Sequence, residues 1–150
     1  MEITQSQVLP YPREDVWEKL MDFDVLGRTL PGVESLEPID AETCKLKVKV
    51  MIPSITGKYE GTVKIVDKQP IDSYKLQGQA KGRLGWVRGD AMFALKQVDV
   101  GTELTSTMNI QTGGVLSGVG QRFMESIAKG MIRDFFVSFE QQLEPATAQS

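Results

Sequence analysis

The chain contains no histidine. Imidazole is the side chain used most often as a general acid or base near neutral pH, and it is the commonest metal ligand. Its absence excludes every triad built on a histidine base. A single cysteine, Cys44, can form neither a disulfide framework nor a thiolate zinc site, and it fits a reducing, cytoplasmic compartment. No run of 18 apolar residues occurs, so no segment is expected to span a bilayer as a helix. The opening Met1-Glu2-Ile3-Thr4-Gln5 lacks the basic and apolar regions of a signal peptide. Neither sign of charge dominates, with 17 basic against 20 acidic residues, so a nucleic-acid footprint is not expected. No P-loop run is present. The glycine-rich stretch Gly78-Gln79-Ala80-Lys81-Gly82 lies inside a strand pattern, which argues against phosphate binding. No catalytic residue, metal ligand or cofactor site is therefore expected.

What remains is an ordinary globular composition, 41% hydrophobic and 25% charged over 150 residues. That length suits one domain burying about 70% of its unfolded surface. The domain is expected over residues 1–144, with a frayed tail at 145–150. Ile3 to Leu9 reads as a first strand, ended by Pro10-Tyr11-Pro12. Pro12 suits a first helical position, Glu14 and Asp15 suit the positive helix end, and Val16, Trp17, Leu20 and Met21 form an apolar face. A second short helix is expected from Asp24 to Leu30, stopped by Pro31-Gly32.

Alternating segments follow. Leu46, Val48 and Val50 oppose Lys45, Lys47 and Lys49; Tyr59, Gly61, Val63 and Ile65 oppose Lys58, Glu60, Thr62 and Lys64. Tyr74, Leu76, Gly78 and Ala80 share a face. So do Val87, Gly89, Ala91, Phe93 and Leu95, and then Leu104, Ser106, Met108 and Ile110. Period-two patterning predicts an antiparallel sheet with one wet and one buried face. Inward Gly61, Gly78 and Gly89 favour curvature and close approach of neighbours.

From Val115 to Leu143 the pattern is that of one long amphipathic helix entered through Gly113-Gly114. Arg122, Ser126, Lys129, Arg133 and Glu140 fall in one polar band, and apolar residues cover an arc of roughly 200°, wider than one sheet face needs. The element order β-α-α-β-β-β-β-β-β-α thus describes an α+β fold. A curved antiparallel sheet wraps a long C-terminal helix, with two short helices after the first strand and room for a cavity between sheet and helix.

Leu30-Pro31-Gly32-Val33-Glu34-Ser35-Leu36-Glu37 resembles the LPG…E signature of the G-subunit family of carbon monoxide dehydrogenase, within the START-like helix-grip (SRPBCC) superfamily. Gly57-Lys58-Tyr59-Glu60-Gly61, Gly101-Thr102-Glu103-Leu104 and Gly113 to Gly120 are similar to further family segments, in the same order. The resemblance implies a helix-grip fold with a hydrophobic cavity. It also implies a role beside a membrane-associated molybdenum hydroxylase, at the inner face of the membrane, or binding of a lipid or quinone. Longer members carry an apolar C-terminal tail that anchors them; this sequence shows none.

The candidate ligand-binding residues are Val50, Tyr59, Val63, Leu76, Ala80, Trp86, Phe93 and Met108 on the sheet, and Phe123, Met124, Ile127 and Met131 on the helix. The expected partner is a hydrophobic small molecule, lipid or quinone-like, with at most peripheral membrane contact. Methionines such as Met51, Met108, Met124 and Met131 conform to varied ligands, or simply fill a core. Trp86 suits a cavity mouth or a surface cover. Tyr59 suits a hydrogen bond to a ligand oxygen or to backbone. Arg83 and Arg88 with Asp90 suit an ion pair at the rim. The lysine stripe is expected to be a solvated sheet face, and Cys44 inert. Entry is expected near Pro31-Gly32, Ile52 to Thr56 and the start of the long helix. Two other functions fit such a domain: a cofactor-free cyclase or hydrolase of the same superfamily, and a protein–protein accessory factor with no ligand.

Overall fold

The computed structural model describes residues 2–148, with side chains to Leu143. β1 (Glu2–Leu9) leads through Pro10-Tyr11-Pro12 into α1 (Arg13–Leu20). Pro12 sits one place earlier than the sequence suggested, as the N-cap in extended conformation rather than as the first helical residue. α2 (Phe23–Thr29) is capped by the Asp22 carboxylate, which accepts from the Asp24 N–H at 2.9 Å. Gly32, at φ +78°, turns the chain into β2 (Val33–Pro38).

β3 (Thr43–Val50), β4 (Gly57–Gln69), β5 (Ser73–Gly82), β6 (Gly85–Val98) and β7 (Gly101–Gly114) complete one seven-stranded antiparallel sheet ordered β1-β7-β6-β5-β4-β3-β2. The register aligns the apolar alternation across strands: Val48 faces Tyr59, Ala80 faces Val87, and Leu76 faces Ala91. The sheet therefore has one apolar face, with Lys45, Lys47, Lys49, Lys58 and Lys64 exposed on the other. At Gly61 a Cβ would run into the Gln79 carbonyl oxygen, so only glycine allows the close approach of β4 and β5 that bends the sheet. Gly78 is different, since a Cβ there would meet Val63 at an ordinary 3.6 Å.

The long helix begins later than its apolar pattern. Val115–Gly118 form a single 3₁₀ turn, Gly120 takes φ +104°, and α3 runs Gln121–Ala148. Three glycines within seven residues, at 114, 118 and 120, oppose helix propagation there. The α3 backbone continues past Pro145, where the sequence suggested a tail; Gln149 and Ser150 lie outside the described residues.

α3 lies across the apolar face and closes on β1, α1 and α2. Its C-terminal half builds the main core, with Phe135, Phe136, Phe139 and Leu143 buried against Ile3, Leu9, Tyr74, Phe93 and Leu104. An aromatic row ties the layers. Trp17 of α1 meets Tyr74 edge-on at 5.6 Å, Tyr74 stacks on Phe93 at 5.1 Å, and Phe93 meets Phe135 at 6.3 Å. A second, smaller cluster lies under the N-terminal half of α3, centred on Ile55, Tyr59 and Leu116.

Candidate functional site

Between the two clusters the sheet and α3 do not meet fully, and a cavity of about 210 Å³ remains. Val48, Val50, Tyr59, Ala80, Val87 and Ile110 form its sheet wall, and Met124, Ile127, Ala128 and Met131 its helix wall. Ile55 and Leu116 add to the wall from the β3–β4 loop and the 3₁₀ turn. The surface it presents is apolar throughout. Such a space holds water poorly, because a buried water needs two to four polar partners.

Tyr59 is the one wall residue with a hydrogen-bonding side-chain group. Its hydroxyl donates to the Ile55 carbonyl oxygen at 2.7 Å, so of the two roles open to it, the bond to backbone is the one formed. Burial pushes the hydroxyl's pKa up, which keeps it a donor. Cys44 is fully buried on the same sheet face, and burial likewise raises its pKa, against a smaller opposing effect from a Val63 backbone bond. The thiol form predominates at neutral pH. Among the described residues no cluster of His, Cys, Asp or Glu is arranged to hold a metal ion.

Of the residues singled out from sequence, Val50, Tyr59, Ala80, Met124, Ile127 and Met131 come together on the cavity wall. The others lie elsewhere. Phe93 is 5% exposed in the aromatic row, and Leu76 and Met108 pack against the main core, because the C-terminal half of α3 descends onto their end of the sheet. Val63 sits on the inner face between Cys44 and Gly78, beyond the cavity wall. Phe123, at the first turn of α3, is 37% exposed and lies off the cavity wall. Trp86 is on the outer face, not at the mouth. Its neighbour Val87 points inward, so strand alternation sends the indole outward, where Arg88 stacks on it at 5.3 Å. Arg88 also donates to Gln111 Oε1 at 3.1 Å, instead of pairing with Asp90 at a rim.

Sequence reasoning missed Val48, Ile55, Val87, Ile110, Leu116 and Ala128 as wall residues. Val48, Val87 and Ile110 carried a signal, since each belongs to an inward alternating set. Ala128 follows Met124 at i+4 on the apolar side of α3. Ile55 and Leu116 sit in irregular segments, where no periodicity marks direction.

Residues 7–144 match the family described as the G subunit of carbon monoxide dehydrogenase (CoxG). The chain belongs to the CoxG family. No functionally curated protein matches it in sequence. Among solved structures it is similar to a conserved protein from Geobacillus kaustophilus, with 30% identity, TM-score 0.93 and 97% of each chain covered. It also resembles a START superfamily protein from Mycobacterium smegmatis, with 9% identity, TM-score 0.73, and 97% of this chain and 98% of that one covered. A Rhizobium leguminosarum protein gives TM-score 0.74 at 12% identity, over 97% and 95% of the two chains. At such low identities the last two speak for the fold alone. CoxG membership and the START-like helix-grip fold together make this a hydrophobic ligand-binding fold. Among the described residues no helix is long and apolar enough to cross a membrane.

Proposed function

We propose that this CoxG-family chain binds and carries a lipophilic small molecule, lipid or quinone-like, in the cavity between sheet and α3. The observation that carries the reading is a cavity surface formed wholly by apolar atoms. Burying apolar area yields about 25 cal/mol per Å² before ordering costs, so affinity needs no charged contact. Wall residues that are aliphatic side chains, methionines and one tyrosine whose hydroxyl is already bonded favour binding over cyclase or hydrolase chemistry. Family membership supports an accessory role beside a molybdenum hydroxylase of the carbon monoxide dehydrogenase type.

Native mass spectrometry of freshly purified protein, followed by organic extraction, tests the carrier role. A co-purifying lipid or quinone is expected, or saturable uptake of a solvatochromic dye that a lipid displaces. Neither result appearing would overturn it. The accessory role predicts that a tagged copy, expressed beside such a hydroxylase, retains the enzyme through a wash that removes bulk protein. Loss of the enzyme in that wash would remove the accessory part and leave the carrier part standing.

A further inference from the structure

The outer face of the sheet separates charge more sharply than the chain as a whole. Two neighbouring rows cross it from β3 to β7. One runs Lys47, Glu60, Lys81, Trp86 and Gly113; the next runs Lys45, Thr62, Gln79, Arg88 and Gln111. Lys49 and Lys58 pair beside the first row, and Glu37 of β2 flanks Lys45. This area holds six basic side chains and two acidic ones, all exposed, in a chain of 17 basic and 20 acidic residues. The remaining 11 basic against 18 acidic residues leave the rest of the molecule negative. Lys47 and Glu60 approach only to 3.8 Å, both well exposed, so the pair does little to cancel the field. Across the two rows lies an open depression of about 350 Å³, lined by Glu60, Thr62, Gln79, Lys81, Trp86 and Arg88. Trp86 is 41% exposed and rests on the β7 backbone: a Cβ at Gly113 would come within 2.2 Å of its ring, so glycine there makes room for the indole.

We propose that this outer face is a docking surface for an acidic segment of a partner protein, with Trp86 and Arg88 as its anchor and the lysines of β3 to β5 as its steering field. Tryptophan and arginine are the side chains that most often dominate the energy of a protein interface, and complementary charge around them sets orientation and association rate. The depression offers both: an indole for an apolar side chain of the segment, and Lys81 and Arg88 for its carboxylates. Gln79 and Thr62 add neutral hydrogen-bonding groups between them. A bilayer fits this face less well. Trp86 sits in a depression beside Lys81 and Arg88 rather than on a protruding tip, and no other large apolar side chain shares the two rows. The inference rests on the accessory part of the reading above, which needs a protein partner, and adds the face that partner meets. It does not depend on what fills the cavity, which lies on the opposite side of the same strands, behind Ala80 and Val87.

The test uses the full chain and a fluorescein-labelled peptide of glutamates and serines around a central leucine, read by anisotropy. A matched peptide with lysine for glutamate is the control. Wild-type protein is expected to bind the acidic peptide saturably and the basic one not, with affinity falling as salt is added. Trp86→Ala should weaken binding about thirtyfold, the loss usual at an interface anchor. Lys47→Glu with Lys81→Glu should weaken it at least about tenfold by reversing the field. Lys129→Glu, exposed on α3 and off this face, should leave it unchanged. Dye uptake into the cavity should be the same in wild type and the double lysine variant. Equal binding of the two peptides, or binding that survives both Trp86→Ala and the double lysine change, would overturn the docking face and leave the accessory reading to the hydroxylase retention assay. Vesicles of phosphatidylglycerol provide the competing surface. Cosedimentation with them that the double lysine change abolishes, without binding of the acidic peptide, would assign the face to a membrane and overturn the protein partner.

Discussion

Residues of the same chemistry have different worth depending on which half of α3 they serve. Phe139 is 1% exposed inside the aromatic core, whereas Met131 borders the cavity. Phe139→Ala should cost about 3–5 kcal/mol, because truncation there opens a new void. Met131→Ala should cost about 1–2 kcal/mol, below the usual core range for methionine, since its side chain already lacks neighbours on one side. Denaturant melts of the two variants check the ordering; equal losses would mean that the helix packs solidly at Met131. Ile127→Asp should destabilise by several kcal/mol through an unpaired carboxylate against an apolar wall. Lys129→Asp should cost well under that, because Lys129 is exposed and its 3.0 Å pair with Glu125 is a surface one.

Titration acts at the same scale. Tyr74 is 1% exposed, and burial pushes its pKa far above the ordinary tyrosine value of about 10. Tyr59 and Cys44 shift the same way for the same reason. Each group is neutral in the folded chain and ionises first in the unfolded one. Stability is therefore fully present below the unfolded values, about 8.5 for the thiol and 10 for the phenols, and falls as pH rises above them. For the fully buried Tyr74 the slope is about 1.4 kcal/mol per pH unit within that window. Tyr74→Phe should therefore reduce the loss of stability between pH 8 and 11. Denaturant midpoints of both proteins at the two pH values measure this.

At the scale of elements, period and glycine placement explain both what was legible and what was not. The sheet was readable because Leu46, Val48 and Val50, or Phe93 and Leu95, repeat every second residue and can bury only one face. β2 had no alternating segment of its own to mark it, since it is an edge strand with a register shift between Val33 and Ser35. The apolar pattern from Val115 overran the true start of α3, because hydrophobic spacing does not register backbone breaks. Gly120→Ala should cost about 1–3 kcal/mol, as φ +104° is open to glycine and strained for alanine. Gly118→Ala meets no neighbour within 4 Å, and its glycine lies outside the positive-φ set. It should be neutral or stabilise by up to about 1 kcal/mol. Thermal melts of this pair separate a conformational requirement from mere helix propensity; equal effects would remove the argument.

At the scale of the molecule, a cavity makes stability depend on what fills it. A ligand that binds only the folded chain adds RT ln(1 + [L]/Kd), roughly 2.7 kcal/mol at a hundredfold excess over Kd. A solvatochromic dye at that excess should raise the melting temperature, and Ile127→Asp, which puts a charge on the wall, should abolish most of the rise. A rise that survives this substitution would place the ligand elsewhere.

Local signals are enough for the fold class, because strand and helix periodicities, turn residues and the glycines of a bent sheet all act within a few residues. They are also enough for the chemistry that is missing, since a chain without histidine has no imidazole wherever it folds. The same signals mark Ile127 and Met131 as apolar and inward on the helix. Where α3 descends onto the sheet, and where it stands away, is written in no local pattern. That depends on how far the bend at Gly61 carries the strands and how the aromatic row from Trp17 to Phe135 seats the helix, which are distances between residues remote in sequence. Those distances put Phe93 in solid core with Met108 packed half-buried against it, and gave the cavity to Val48, Val87 and Ile110. Ile55 joins the wall from a loop with no periodicity, held by a hydrogen bond from Tyr59 only four residues further on.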